Sequence, residues 1–281
     1  SKRAAPATHD RHQRARVGSP AHLWSARLHV SLDALKTLEG AFDGLDIGQI
    51  TDGDREMIAS DLHRVPANMR RAAAGPSNTA DRERLEPYEE LVLDGFGAAP
   101  VPSAITGKAY MMHAWCRKLG AGFATDTKTH TTDDWIAWLR VVIADVAALG
   151  RRTKVLRVDA GSDLANDGFR QRAASELGCT VRVAPGGWHE GVAMAESMND
   201  LVSRMADAMV RRAQLGPSYF IPARLYAVVL ISMRCVRGMI ITRSEAADGI
   251  RPDAYKLTPF LFGTTVAELE DKGARGPPGS E

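Results

Sequence analysis

Two short apolar runs, KVLRVD at residues 154–159 and TVRVA at 180–184, stand on either side of a segment with helical character, 166–177, that Gly178 ends. A strand, a helix and a second strand of these lengths imply a right-handed crossover between parallel neighbours in one sheet. This unit confines the chain to α/β architectures. The stretch from Tyr88 onward agrees: YEELVLDGFG reads as a strand with a Gly-rich exit, and residues 108–128 read as a hairpin turning near 116–118. Gly120 and Gly122 are expected to weaken its second arm. Trp135, Trp138, Leu139, Val142, Ile143, Val146 and Leu149 form the apolar stripe of a helix that Thr131 or Thr132 caps and Gly150 stops. Two more helices are expected over 192–215 and 218–236.

Upstream, residues 20–72 read as short helices, with Leu28, Leu32, Leu35 and Leu38 at helical spacing before Gly40. Residues 73–87 are poor in large apolar side chains, contain Pro76 and Pro87, and read as a linker. The expected organisation is a disordered basic arm at 1–20, a helical segment at 21–72, the linker at 73–87, an α/β core at 88–240, and an extension with a disordered tail at 241–281. The arm carries Lys2, Arg3, Arg11, Arg14 and Arg16 against Asp10. With 44% apolar and 25% charged residues over 281 positions, a core domain needs no covalent staples. Three cysteines, Cys116, Cys179 and Cys235, lie far apart without a CxxC, which argues against a disulfide framework and a thiolate zinc site and fits a reducing, intracellular setting. The longest apolar stretch, 225–233, falls short of the roughly 20 residues a membrane span needs, so no membrane partner is expected.

Three acids stand at the ends of these elements: Asp94 in LVLDGFG, Asp159 in KVLRVDAGSD and Glu196 in HEGVAMAESMND, with 36 residues between the last two. An α/β core could bring the three carboxylates together. Hard cations such as Mg²⁺ or Mn²⁺ take oxygen donors, and two such ions suit phosphodiester transfer. Met198, Leu201, Val202, Met205 and Met209 define the buried stripe of the last acid's helix, and Glu196 falls nearly opposite it. Each acid also has a plain structural reading, as a turn residue after a strand or as a complement to a helix dipole.

LWSARLHVSLDALKTL, LVLDGFGAAPVPSAITGKAY, VLRVDAGSDLANDGF, GVAMAESMNDLVSRMADAMVRRAQLG and GIRPDAYKLTPFLFG occur in this order over about residues 23–266. In order and spacing they resemble the integrases of copia-type retrotransposons. The resemblance implies a ribonuclease H-like mixed five-stranded sheet flanked by helices, preceded by a small, degenerate pre-integrase helical segment. It implies Asp94, Asp159 and Glu196 as catalytic residues and ligands of two Mg²⁺ or Mn²⁺ ions in DNA 3′-end processing and strand transfer. Element ends and target DNA would be the partners, a homo-oligomer the working form and the nucleus the site of action. Arg151, Arg152, Lys154 and Arg157 beside Asp159, with Arg204, Arg211 and Arg212 along the Glu196 helix, are the candidates for holding the DNA backbone.

The chain also departs from that family. Ser25 replaces a zinc-binding histidine, His29 remains, and no cysteine precedes Cys116, so no zinc is expected. His113 stands near the hairpin turn where an Asp is usual and reads as a strand residue rather than a ligand. Ala160 replaces the usual Asn, and the stretch GVAMAE that ends in Glu196 is two residues longer than the common pattern. Asp200 and Ser203 occupy positions that are usually basic, and Asp207 shares their face. These departures sustain a rival reading, a decayed or repurposed ribonuclease H-like domain that binds nucleic acid or protein without catalysis. A third, an unrelated two-metal nuclease, differs from the first by its lack of strand joining.

Overall fold

The computed structural model describes residues 19–59, 82–160, 162–184, 193–236, 239–257 and 262–263. Most of the basic arm, residues 60–72, most of the linker, the PGGWHEG loop and the tail lie outside the described residues. Among the described residues, helices α1 (Pro20–Leu28), α2 (Leu32–Glu39) and α3 (Asp52–Ala59) precede five strands, β1 (Glu90–Phe96), β2 (Tyr110–Cys116), β3 (Gly122–Thr127), β4 (Val155–Asp159) and β5 (Thr180–Ala184). Helix α4 (Thr132–Ala148) joins β3 to β4, and α5 (Asp167–Leu177) joins β4 to β5. Four more helices follow: α6 (Ala193–Arg212), α7 (Phe220–Ser232), α8 (Arg243–Asp248) and α9 (Ala254–Leu257).

The strands form one mixed sheet in the order β3-β2-β1-β4-β5. β1 pairs antiparallel with β2, and β2 with β3, while β4 runs parallel to both β1 and β5. The α/β class, the hairpin and the parallel crossover are therefore as expected, and the sheet is consistent with a ribonuclease H-like fold. Strand alternation sorts the two faces. Leu91, Leu93, Met112, Ala114, Leu156 and Val158 pack with residues of α4 and α5 on one side. Val92 and Trp115 pack with α6 and α7 on the other.

Local signals explain the element ends. Thr131 accepts from the Asp134 backbone N–H at 3.2 Å while Asp134 accepts from the Thr131 N–H at 3.0 Å, a reciprocal cap for α4. Thr131→Ala is expected to cost about 1 kcal/mol, read as a lower midpoint in urea-induced unfolding with an unchanged slope. At the N-terminal segment the leucines fall on two short helices, as expected. His29 takes a left-handed conformation (φ 51°) after α1, and Ser31 caps α2 by accepting from the Ala34 N–H. Leu28, Leu32, Leu35 and Leu38 are nonetheless all buried.

That segment shares one apolar core with the sheet. Trp24, Leu28, Leu35 and Phe42 belong to the same buried cluster as Val92, Trp115, Val202, Met209 and Ile231. The C-terminal extension closes over it: Asp43 and Asp253 form a parallel bridge, and the Ala254 N–H donates to the Asp43 carbonyl at 3.0 Å.

The second hairpin arm is intact because its glycine has a packing role. Trp115 lies opposite Gly122 in the β2–β3 ladder. A Cβ at 122 would overlap Cε3 and Cζ3 of that fully buried indole. The missing side chain is what gives the ring its place.

Candidate active site

Asp94 lies on the central strand β1, directly across the antiparallel ladder from His113. On the other side, Val92 pairs with Arg157 of parallel β4. Two residues farther along each strand, Asp94 and Asp159 reach the same edge of the sheet on the same face. Glu196 stands exposed in the first turn of α6, which packs against β1. Burial first, then the Glu196 and Asp159 charges, push the Asp94 carboxyl up to about 6, well above its ordinary 3.8. The Gly95 N–H, donating to Asp94 Oδ1 at 2.8 Å, and Asn199 Nδ2, donating to Oδ2, work in the opposite direction.

The three acids thus share one neighbourhood at the carboxyl ends of β1 and β4. Among the described residues, no three His, Cys, Asp or Glu side chains stand close enough to hold a single metal ion. The donor chemistry nevertheless fits one. All three offer hard carboxylate oxygens. The central carboxyl, burdened by burial and two like charges, ionises at neutral pH at a cost that a cation would relieve.

A buried polar layer beneath these acids went unread in the sequence. Arg224 Nη1 donates to Ser203 Oγ, Ser203 Oγ donates to the Asn199 carbonyl at 2.7 Å, and Asn199 Nδ2 donates to Asp94. Asn199 and Ser203 lie on the Glu196 side of α6, one and two turns along respectively. Arg224 is fully buried, its guanidinium carbon 4.0 Å from the Phe96 ring centroid and 5.7 Å from that of Phe220. Burial lowers its pKa to about 10 against the opposing pull of the Asp94 carboxylate. His113 is also fully buried, and burial, with the nearby Arg224 and His130 charges, lowers its pKa to about 3. Its imidazole is therefore neutral, and neither ring nitrogen has a hydrogen-bond partner among the described residues. The Asn199 Oδ1 is likewise buried and unpaired there.

Two signals were available for this layer. Asn199 stands three residues after Glu196, hence on a neighbouring row of the helix face, and Arg224 interrupts the otherwise apolar PARLYAVV.

Of the candidate basic residues, Arg157 lies two residues before Asp159 on the same face of β4, and the others lie farther off. Lys154 precedes Asp159 by five residues at the opposite end of β4, about 16 Å away along a strand. There Lys154 pairs with Glu89 at 2.9 Å and Arg151 with Glu86 at 3.9 Å. Arg157 pairs with buried Glu90, and Arg152 is exposed near Cys179, whose thiol its charge affects. Arg211 is held by Asp207 at 2.9 Å. Arg211 and Arg212 lie about 22–24 Å along α6 from Glu196, and the charge of half-buried Arg204 reaches Arg234.

Other singled-out positions are structural. Ser25 is buried and donates to the Val30 carbonyl at 2.8 Å, His29 ends α1, and Asp200 is half-buried. A polar groove of about 660 Å³, lined by Tyr110, His130, Thr131, Ser162, Asp163 and Asn166 among others, opens beside Asp159. Its Ser162 Oγ donates to the Asp159 carbonyl at 2.8 Å.

Compared with known proteins, the chain matches no family model and no curated protein. No helix among the described residues is long and apolar enough to cross a membrane.

Proposed function

We propose that this chain is the core of a metal-dependent polynucleotidyl transferase of the integrase type, acting on DNA 3′ ends and joining them to target DNA. The observation that carries the reading is the placement of Asp94 and Asp159 at the carboxyl ends of two adjacent parallel strands, on one face, with Glu196 in the first turn of the helix packed against β1. Asp94, Asp159 and Glu196 would hold the two Mg²⁺ or Mn²⁺ ions. When bound, such ions activate an attacking water or 3′-hydroxyl and stabilise the leaving oxygen. Asn199 fixes the plane of the Asp94 carboxylate, and Arg224, acting through Ser203, holds Asn199 in register. The groove beside Asp159 offers hydroxyl groups to a phosphate backbone without reading bases. DNA ends and target as partners, a homo-oligomeric working form and a nuclear site of action belong to the same proposal.

A second reading, a decayed or repurposed ribonuclease H-like domain that binds nucleic acid or protein without catalysis, is favoured by the neutralised cations. Arg151, Lys154, Arg157 and Arg211 each already face a carboxylate, which reduces the phosphate contacts that dominate nucleic-acid affinity. A nicking and strand-joining assay on labelled duplex DNA with Mg²⁺ or Mn²⁺ separates the readings. Joined product, lost by roughly a thousandfold or more in Asp159→Asn and in Glu196→Gln, is the expected result, about the 4 kcal/mol scale of a lost catalytic electrostatic group. Cutting without joining would mark a nuclease, and a folded wild-type protein without turnover would overturn the proposal.

A further inference from the structure

A cavity of about 540 Å³ opens on the side of α6 away from the carboxylates, between α2 and residues 234–236, 239–240 and 243. It lies within the size range of small-molecule sites. Its wall combines Val30, Leu38, Met239 and Ile240 with two guanidinium groups, Arg234 and Arg243. Met198 and Met205, which touch these arginines, lie nearly opposite Glu196 and Ser203 on α6, so the helix separates the cavity from Asp94.

Among the described residues, neither arginine forms an ion pair with a carboxylate. Arg234 donates to the His29 carbonyl at 3.4 Å and to Met205 Sδ at 3.3 Å, and its Nε is buried without a partner among the described residues. Arg243 donates to the Gly120 carbonyl at 3.3 Å and to Met198 Sδ. Gly120 makes room for it: at φ 73°, a Cβ there would stand 3.1 Å from Arg243 Nη1. Burial lowers the Arg234 pKa to about 10, followed by repulsion from Arg243 and Arg204. Burial also lowers that of Arg243, with Arg82 adding to it. Glu245 lies close enough to add to the burial that raises the Cys235 thiol, yet among the described residues it pairs with neither guanidinium.

Two partly desolvated positive charges held by carbonyl and sulfur acceptors are under-compensated, because a buried charge is costly unless it is paired. An anion entering the cavity would supply the missing charge, while the aliphatic wall requires an apolar body behind it. We propose that this cavity binds a small amphipathic carboxylic acid, its carboxylate on Arg234 and Arg243 and its aliphatic part against Val30, Leu38, Met239 and Ile240. Arg suits this task because its planar fork matches a carboxylate with two donors. The inference is independent of the proposed DNA chemistry.

The test is titration calorimetry of the full chain with octanoate, with octanol as the uncharged counterpart and inorganic phosphate as the bare anion. One saturable site for octanoate is expected, with octanol and phosphate each at least tenfold weaker. Arg234→Gln is expected to weaken octanoate at least tenfold. Ile240→Asp, at an exposed rim position, adds a repelling charge without altering the half-buried arginines and is expected to weaken it at least fivefold, which decides the matter if the first variant fails to fold. Equal binding of octanol, tighter binding of phosphate, absence of saturable octanoate heat, or indifference of octanoate to Ile240→Asp would overturn the proposal.

Discussion

Asp94→Asn is expected to raise the melting temperature of the metal-free protein at pH 7.5 by roughly 4–8 °C, a gain of about 2 kcal/mol for a chain of this size. The same variant should lose metal-dependent DNA cleavage by about a thousandfold or more. The stability gain follows from the burial that pushes the Asp94 carboxyl up to about 6. A carboxyl whose folded pKa lies above its unfolded value favours the fold while protonated. That contribution is fully present below about pH 3.8 and is lost as pH rises through about 6. At pH 7.5 the wild-type protein therefore carries the whole cost of the buried charge, and asparagine carries none.

Asparagine also finds a hydrogen-bond partner in place. After rotation of the Asn199 amide, the Nδ2 of asparagine at position 94 can donate to the Oδ1 that is unpaired in the wild-type contacts. The stability gap between variant and wild type should close as pH falls to about 4. It should also narrow or reverse at pH 7.5 when Mg²⁺ or Mn²⁺ is added, because a ligand that binds only the native wild-type site stabilises it by mass action. Melting curves of both proteins from pH 4 to 8, with and without metal, check each arm. A variant less stable than wild type at pH 7.5 without metal would show that Asp94 is not a strained carboxylate.

Gly122→Ala carries the largest expected loss of stability, about 3 kcal/mol, at the upper end of overpacking costs in a dense core. A single methyl group there would overlap Cε3 and Cζ3 of Trp115 and stand 3.0 Å from Cδ2. Trp115 is fully buried among residues of the sheet and of α6 and α7, so the ring cannot move aside without disturbing them. The expected fall in melting temperature is roughly 6–12 °C. Trp115→Leu, itself destabilising, should reduce the added cost of Gly122→Ala to about 1 kcal/mol or less, because the clash disappears with the ring. A full additive loss in the double variant would place the cost in the backbone at 122 instead.

The same pair shows why parts of the fold were legible and parts were not. Periodicity located the β4–α5–β5 crossover, the hairpin and α4, because each depends on local patterning and caps. It weighed Gly122 only as a weak strand residue, since the ring that fills its place belongs to the neighbouring strand. The three acids were legible from their element ends. Asn199, Arg224 and the neutral His113 were not, because their significance depends on packing between α6, α7 and two strands. The basic residues at 151–157 were read by nearness in sequence to Asp159, whereas a strand's length separates Arg151, Arg152 and Lys154 from it, and Glu86, Glu89 and Glu90 pair with Arg151, Lys154 and Arg157.

The bridge between Asp43 and Asp253, with the shared core beneath it, also bears on the order of synthesis. The sheet can pair its first three strands from a continuous stretch of chain, 90–127. Helices α1–α3, made before the sheet, have no completed surface to settle on until α6, α7 and the residues near 254 have left the ribosome. They precede the strands in the chain yet are among the last of these elements to reach native packing, with Trp24, Leu35 and Phe42 lacking their sheet-side neighbours until then.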